Sequence, residues 1–207
     1  MKIAVEQLLP FWEIIKLGNM SSFYSEGKLK QLGFKSIGKN VLISKKASFY
    51  GINRIQIGDN VRIDDFCFFS AGEGGIYLGN YIHISPFCSL VGKGRITLDD
   101  FSGLSSRVSI YSSSDDYSGK SLTNPTVPDK YKNVNHADVH LQKHVIVGAG
   151  SIILPGIVIG ACSAIGALSF VTKNIGPNLI ASGNPIKIIK KRKDKLLDLE
   201  WKLVNKS

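Results

Sequence analysis

Asp115 and Asp116 stand side by side in SSSDDYSG, and three of the chain's four histidines, His136, His140 and His144, follow at four-residue spacing. Adjacent carboxylates hold or deprotonate a nucleophile, while imidazoles do acid–base work near neutral pH or bind metal. On a helix, that i, i+4 spacing would put the imidazoles on one face as metal ligands. Here Val139, Leu141 and Val147 run through the same stretch in a strand-like beat, so the histidine side chains diverge and no metal site is expected. His83, in LGNYIHIS, takes an outward strand position, and His144, in LQKHVIVG, stands where the regular pattern resumes after a long interruption. Both are candidates to act as a base.

The elements that must position these groups are set by a six-residue period. Leu141, Val147, Ile153, Ile159, Ile165 and Val171 return at every sixth place. Earlier, Ile37, Ile43 and Phe49 form one group of three, followed by Ile57, Ile63 and Phe69, then Leu78, Ile84 and Leu90, then Leu98, Leu104 and Ile110. Three hexapeptides and an insertion describe a triangular coil of about eighteen residues with its extra residues at one corner. The segments RIQIGDNVRIDDFCFF, GIYLGNYIHISPFCSL and RITLDDFSGLSSRVSI superpose column by column, and the place four after each aliphatic is modest in size (Val61, Cys67, Cys88, Val108, Ser151). The expectation is an all-β solenoid over residues 37–174, a parallel β-helix that stacks each coil on the last.

Residues 1–36 are expected to form a helical cap, since AVEQLLPFWEIIKLGN is apolar at helical spacing around Pro10. Glu6 and Glu13 interrupt that stretch, so no membrane insertion and no secretory signal are expected, and the chain reads as cytoplasmic. Residues 111–138, rich in Ser, Asp, Asn and Pro, break the beat and form a long loop projecting from one corner. Tyr117, Tyr131, Pro125 and Pro128 favour an ordered arm. Residues 175–207 are a basic tail: of the formal net charge of +10, much lies from Lys187 onward, where eight basic residues face three acidic ones. Without an aromatic platform or recognition motif, nucleic acid is not the expected partner. Cys67 and Cys88 share a column of adjacent coils about 4.8 Å apart. A disulfide is geometrically conceivable there, but buried free thiols in a reducing compartment are the ordinary reading, and Cys162 has no evident partner.

The run VIVGAGSIILPGIVIGACSAIGALSFVTKNI and the ending ASGNPIKIIKKR, with the hexapeptide beat and the loop, resemble the left-handed β-helix (hexapeptide-repeat) acyltransferases over about residues 37–190. The resemblance implies a left-handed coil, a homotrimer with a site in each inter-subunit cleft, and acyl transfer from acetyl-CoA as co-substrate. It places the pantetheine arm along Ala149, Ser151, Ala167, Ser169, Thr172 and Lys173, and the CoA phosphates near Lys187 and Lys190. In the O-acetyltransferases of this family the catalytic histidine stands five places after the last aliphatic before the loop. That place here, counted from Ile110, is Asp115.

A hydroxyl needs a base as it attacks, worth roughly 10² to 10⁴ in rate. An amine with a pKa near 8 is partly neutral at pH 7 and attacks unaided. Asp115 and Asp116 therefore suit an acceptor amine. The resemblance narrows to the acetyltransferases of nucleotide-linked amino-deoxysugars, of the dTDP-4-amino-4,6-dideoxyglucose type, which serve surface polysaccharide (O-antigen, lipopolysaccharide) synthesis. The alternatives are O-acetylation of a sugar or polysaccharide hydroxyl, a trimeric carbonic-anhydrase-like zinc enzyme, and a non-catalytic scaffold.

Overall fold

The protein is described here by a computed structural model that covers residues 22–205; the helix expected over AVEQLLPFWEIIKLGN lies outside the described residues. The chain winds as a three-sided solenoid, and each coil lays a strand of two to four residues on each face. The first face carries Ser36–Ile37, Ile55–Ile57, Ile76–Leu78, Ile96–Leu98, Val139–Leu141 and Val158–Ile159. On the second lie Leu42–Ile43, Arg62–Ile63, His83–Ile84, Gly103–Leu104, Ile146–Val147, Ala164–Ile165 and Leu179–Ser182, extended by Lys187–Lys191, which pairs antiparallel with Leu179–Ser182. The third carries Ser48–Tyr50, Phe68–Ala71, Ser89–Gly92, Ser109–Tyr111, Ile152–Ile153 and Phe170–Val171. Apart from that closing pair, strands within each face run parallel, and their register aligns the aliphatic columns of the sequence: Ile57 with Leu78, Leu78 with Leu98, and Leu98 with Leu141.

A hexapeptide points one aliphatic inward at each face, and three such rows fill the interior. Ile43, Ile63, Ile84, Leu90, Ile110, Leu141, Ile153 and Ile159 are all fully buried. At roughly 1.5–3 kcal/mol for each large aliphatic removed from water, these rows supply the main driving force for winding. The serines at the modest places keep their hydroxyls inside by bonding to carbonyls of the next turn, as Ser151 Oγ does to Gly166 O and Ser163 Oγ to Gly176 O. All three cysteines are buried free thiols. Contact with Cys88 and burial together push the Cys67 thiol upward.

Two corners turn through the left-handed backbone region. Between the first and second faces the turning residues are Asn40, Asn60, Tyr81, Phe101, His144, Cys162 and Asn178; between the second and third they are Phe66, Phe87, Arg107, Gly150 and Leu168. Asn tolerates this conformation, whereas a bulky side chain there costs about 1–3 kcal/mol. The bulky ones offset part of that cost by stacking on one another along the corner. Tyr81 lies on Phe101 with ring centroids 4.6 Å apart, Phe101 on His144 at 5.0 Å, and Phe66 on Phe87 at 5.1 Å. Side chains also bridge the coils at the first corner: Asp100 Oδ1 accepts from Asn80 N at 2.6 Å, and Asn80 Oδ1 from Asp59 N at 2.7 Å.

The N-terminal end of the core is covered by aromatic and helical residues. Helix α1, Glu26–Gln31, is N-capped by Ser25 and buries Leu29. Phe34 meets Phe49 edge-on at 5.1 Å, and Phe49 stacks on Phe69 at 5.0 Å. Helix α2, Leu196–Val204, closes the described chain.

Because Phe69 is fully buried and stacked on Phe49, Phe69→Ala is expected to lower unfolding free energy by about 3–5 kcal/mol. Urea denaturation followed by far-ultraviolet circular dichroism checks this; a loss below about 1 kcal/mol would mean that the first coils contribute little to cooperativity.

Candidate functional site at the stem of the projecting loop

The loop leaves the third face after Tyr111 and returns to the first at Val139. Its two ends are tied by an antiparallel pair, Ser113–Ser114 with Asn135–His136, in which Ser113 faces His136 and Ser114 faces Asn135. Ser112, fully buried, anchors the stem: its Oγ donates to Gly94 O at 2.7 Å and its carbonyl accepts from Ala137 N at 3.1 Å. Gly92 makes room for this, with φ at +144° and so little space that an added Cβ would come within 2.8 Å of the Ser112 carbonyl carbon. On the far side, Asp138 Oδ1 accepts from Arg95 N at 2.7 Å. The stem is therefore held to the preceding coil through both strands.

Asp115 follows directly on the stem and is exposed. Asp116, its neighbour, is turned into the loop: Oδ1 accepts from Ser118 N at 2.8 Å and Oδ2 from Ser121 Oγ at 2.8 Å. Those hydrogen bonds, from Ser118 first and then Ser121, hold the Asp116 carboxyl below the usual carboxylate range. The sequence treats the two aspartates as a pair. The structure separates them into one open carboxylate and one that shapes its loop.

The histidines are brought to four different places. His136 Nδ1 lies 2.7 Å from Ser113 Oγ at the stem. On the second face, His83 Nε2 lies 2.8 Å from Asp64 Oδ2, while Asp64 Oδ1 accepts from Arg62 Nε at 2.6 Å. Burial pushes the Asp64 carboxyl up, but the hydrogen bonds from His83 and Arg62 outweigh it and hold the group below its ordinary value. His140 Nε2 contacts Asp99 Oδ2 at 2.8 Å on the first face. His144 is only 9% exposed, stacked under Phe101, with Nε2 2.7 Å from Glu200 Oε2 of α2. Glu200 also binds Lys143, and that contact is the largest cause of its lowered carboxyl pKa. His144 thus clasps the C-terminal helix to the coil. Among the described residues no three or more ligating side chains converge on a metal position.

The residues aligned with a CoA path also divide. Ala149, Ala167, Thr172 and Lys173 are exposed at the corners and edge of the last coils. Ser151 and Ser169 are interior, and Ser169 Oγ donates to Gly166 O at 2.7 Å while accepting from Gly183 N at 3.1 Å. The hydroxyls of those two serines are taken up inside the prism. Lys187 and Lys190 project from the exposed closing strand, paired with Ser182 and Ile180. A shallow depression of about 390 Å³ on the first face, lined by Gln56, Tyr77, Thr97, Asp99, Asp100 and Lys143, lies away from the stem. Its charged groups are already engaged, Asp99 with His140, Asp100 with Asn80 and Lys143 with Glu200.

Sequence reasoning missed the Ser113–His136 pair and the carboxylate beneath His83. The second was legible in principle, because Arg62 and His83 occupy the same column in consecutive coils and Asp64 lies two places after Arg62. Nothing periodic pointed to the first.

No family model matches the chain. A dTDP-4-amino-4,6-dideoxy-D-glucose acyltransferase of Escherichia coli is 52% identical over 179 residues, 86% of this chain and 93% of that protein. Among solved structures, an aspartate-to-alanine variant of AntD, an N-acyltransferase from Bacillus cereus in complex with dTDP and coenzyme A, superposes with a TM-score of 0.86 at 47% identity, covering 90% of this chain and 99% of the other. AntD in complex with dTDP and 3-hydroxybutyryl-CoA gives a TM-score of 0.84 at 48% identity, over 89% and 97% of the two chains. A galactoside acetyltransferase in complex with coenzyme A, at 23% identity and a TM-score of 0.52 over 82% of this chain and 70% of the other, shares the fold.

The lowered Asp64 carboxyl fixes a sign for acid stability. Its contribution is fully present above the ordinary carboxylate range, about pH 4, and is lost as pH falls through the folded-state value. Asp64→Asn should therefore lower the melting temperature at neutral pH and flatten its decline below about pH 4. Parallel wild-type and variant curves across that range would show that the Arg62–Asp64–His83 cluster carries no net stabilisation.

Proposed function

The chain belongs to the hexapeptide-repeat acyltransferase family, and from that premise we propose that it transfers an acetyl group from acetyl-CoA to the amine of a dTDP-linked amino-dideoxysugar. The observation that carries the reading is Asp115, an open carboxylate on an anchored stem, in the place where hydroxyl-acylating members of the family hold a histidine. The relatives support it: the E. coli protein acts on dTDP-4-amino-4,6-dideoxy-D-glucose, and a serine variant of AntD is solved with that sugar nucleotide and coenzyme A. The AntD variants replace a serine and an aspartate ten positions apart. Ser105 and Asp115 have that separation here, and so do Ser106 and Asp116, but the Asp116 carboxylate is taken up within its loop by Ser118 and Ser121. Ser89 and Asp99 have it too, but Asp99 is bonded to His140 on the first face.

The chemistry follows from the acceptor. The neutral amine attacks the thioester carbonyl, an N–C bond forms, the C–S bond breaks, and the CoA thiolate leaves to be protonated. Asp115 accepts hydrogen bonds from the amine and aims its lone pair. Lys173, Lys187 and Lys190 answer the CoA phosphates as point charges, while Ala149 and Ala167 leave backbone groups open to the pantetheine amides.

The reading includes a homotrimer with its sites between subunits. An apolar ridge along the corner of the second and third faces supports this: Phe66, Phe87 and Leu168 are exposed, with Ile146 and Ile152 exposed on either side. Packing that ridge about a threefold axis would turn the second face of one subunit, with His83, toward the third face and loop of its neighbour. It includes too a left-handed winding, a helical cap over residues 1–36, a cytoplasmic location and a role in supplying surface polysaccharide. No helix among the described residues is long and apolar enough to cross a membrane.

Incubated with acetyl-CoA and dTDP-4-amino-4,6-dideoxyglucose, the protein should release free thiol and form the N-acetyl sugar. Asp115→Asn should raise the acceptor KM about tenfold or more with the acetyl-CoA KM nearly unchanged, and Lys173→Ala should do the reverse, several-fold. An acceptor KM untouched by Asp115→Asn would remove that carboxylate from the site. Sedimentation should give a trimer; a stable active monomer would contradict the shared cleft.

A further inference from the structure

Three of the four histidines have Nε2 taken up by a carboxylate: His83 by Asp64, His140 by Asp99 and His144 by Glu200. His136 is different. Its Nδ1 is engaged by Ser113 Oγ, and Nε2 of its exposed ring has no partner among the described residues. Ser113 is itself fixed, because its Oγ also accepts from Lys93 N at 2.7 Å. A hydroxyl oxygen has two lone pairs, so it can accept both the Lys93 amide and an imidazole Nδ1–H. With Nδ1–H as the donor, Nε2 keeps its lone pair on a ring that is exposed.

The stem brings His136 and Asp115 to the same end of the projecting loop. Ser113 and His136 are directly opposed in an antiparallel pair, so their side chains share a face. The paired strand ends at Ser114, and Asp115 is the next residue, two places beyond the one that faces His136. An amine held by Asp115 would stand at the end of the stem that carries His136. We propose that His136 is the proton acceptor of the reaction and Ser113 its positioning residue, so that the base absent from the outgoing strand of the stem is supplied by the returning strand.

The step balances without a further reactant. As the amine bonds to the thioester carbon it becomes an ammonium, and His136 Nε2 takes one of its protons. Collapse of the tetrahedral adduct then breaks the C–S bond, and the imidazolium returns the proton to the departing thiolate, leaving amide, thiol and neutral histidine. Asp115 orients, His136 carries the proton, and Ser113 fixes the tautomer. This rests on the amine-acylating reading above.

His136→Gln, assayed with acetyl-CoA and dTDP-4-amino-4,6-dideoxyglucose across pH, should lower kcat by about 10²-fold with both KM values nearly unchanged. Added imidazole should restore part of the lost rate in the variant and leave wild type unaffected. Ser113→Ala retains the imidazole but releases its tautomer; it should lower kcat by about tenfold and shift the pH profile. Wild-type kcat in His136→Gln overturns the proposal. Should that variant fail to fold, an unchanged kcat and pH profile in Ser113→Ala does the same. Wild-type protein inert toward amino sugars overturns the amine reading and this one together, whereas active wild type with an unaffected variant overturns this one alone.

Discussion

Parallel hydrogen bonding between successive coils is the constraint on which the rest of the molecule depends. Each short strand is paired above and below along most of each face, and the inward aliphatics align only in one register. A slip of one residue would turn a whole aliphatic row to solvent and its polar neighbours into the core. The ladder therefore holds the outward positions in columns, and residues far apart in sequence meet because they occupy the same place in successive coils. Arg62 and His83 share Asp64 for this reason. The aromatic stacks at the corners have the same origin.

Two corners are shaped by the turn itself, since the backbone there is left-handed and several of their aromatic side chains stack from coil to coil. The third corner absorbs insertions, and the long loop emerges from it. Functional groups on regular faces would repeat with the coil, whereas an acylation site has to be unique. The loop stem provides uniqueness without looseness, because Ser112, Ser113 and Asp138 tie it to backbone of the preceding coil. At the opposite end of the coil's regularity, the His144–Glu200–Lys143 cluster and Arg192, which donates to His144 O and Ser163 O, attach the basic C-terminal segment to the prism.

The interior was legible in the sequence because it has essentially one variable, the identity of the residue at each sixth place. The overlay of the three segments beginning near Arg54, Gly75 and Arg95 reappears as the register of Ile55, Ile76 and Ile96. The place of Asp115 was legible too, as a count from Ile110, and its side chain is exposed directly after the stem. The Ser113–His136 pair was not, because an antiparallel contact across a loop without period depends on how that loop closes. His144 was visible as a histidine at the re-entry to the coil. Its partner Glu200 comes from a helix 56 residues later, so only the tertiary structure shows the side chain clasping α2. Ser151 and Ser169 show a different limit: small residues beside a groove and small residues inside a narrow prism look alike in sequence, and here the hydroxyls are spent on the interior.

The central claim is that the stem is built to acylate an amine. The most direct measurement offers wild-type protein an equimolar mixture of dTDP-4-amino-4,6-dideoxyglucose and the sugar nucleotide with a hydroxyl in place of that amine, with limiting acetyl-CoA, and identifies the products by mass spectrometry. The account predicts that the acetyl group is found on nitrogen, with the hydroxyl sugar recovered unchanged. Preferential acetylation of the hydroxyl sugar would contradict it.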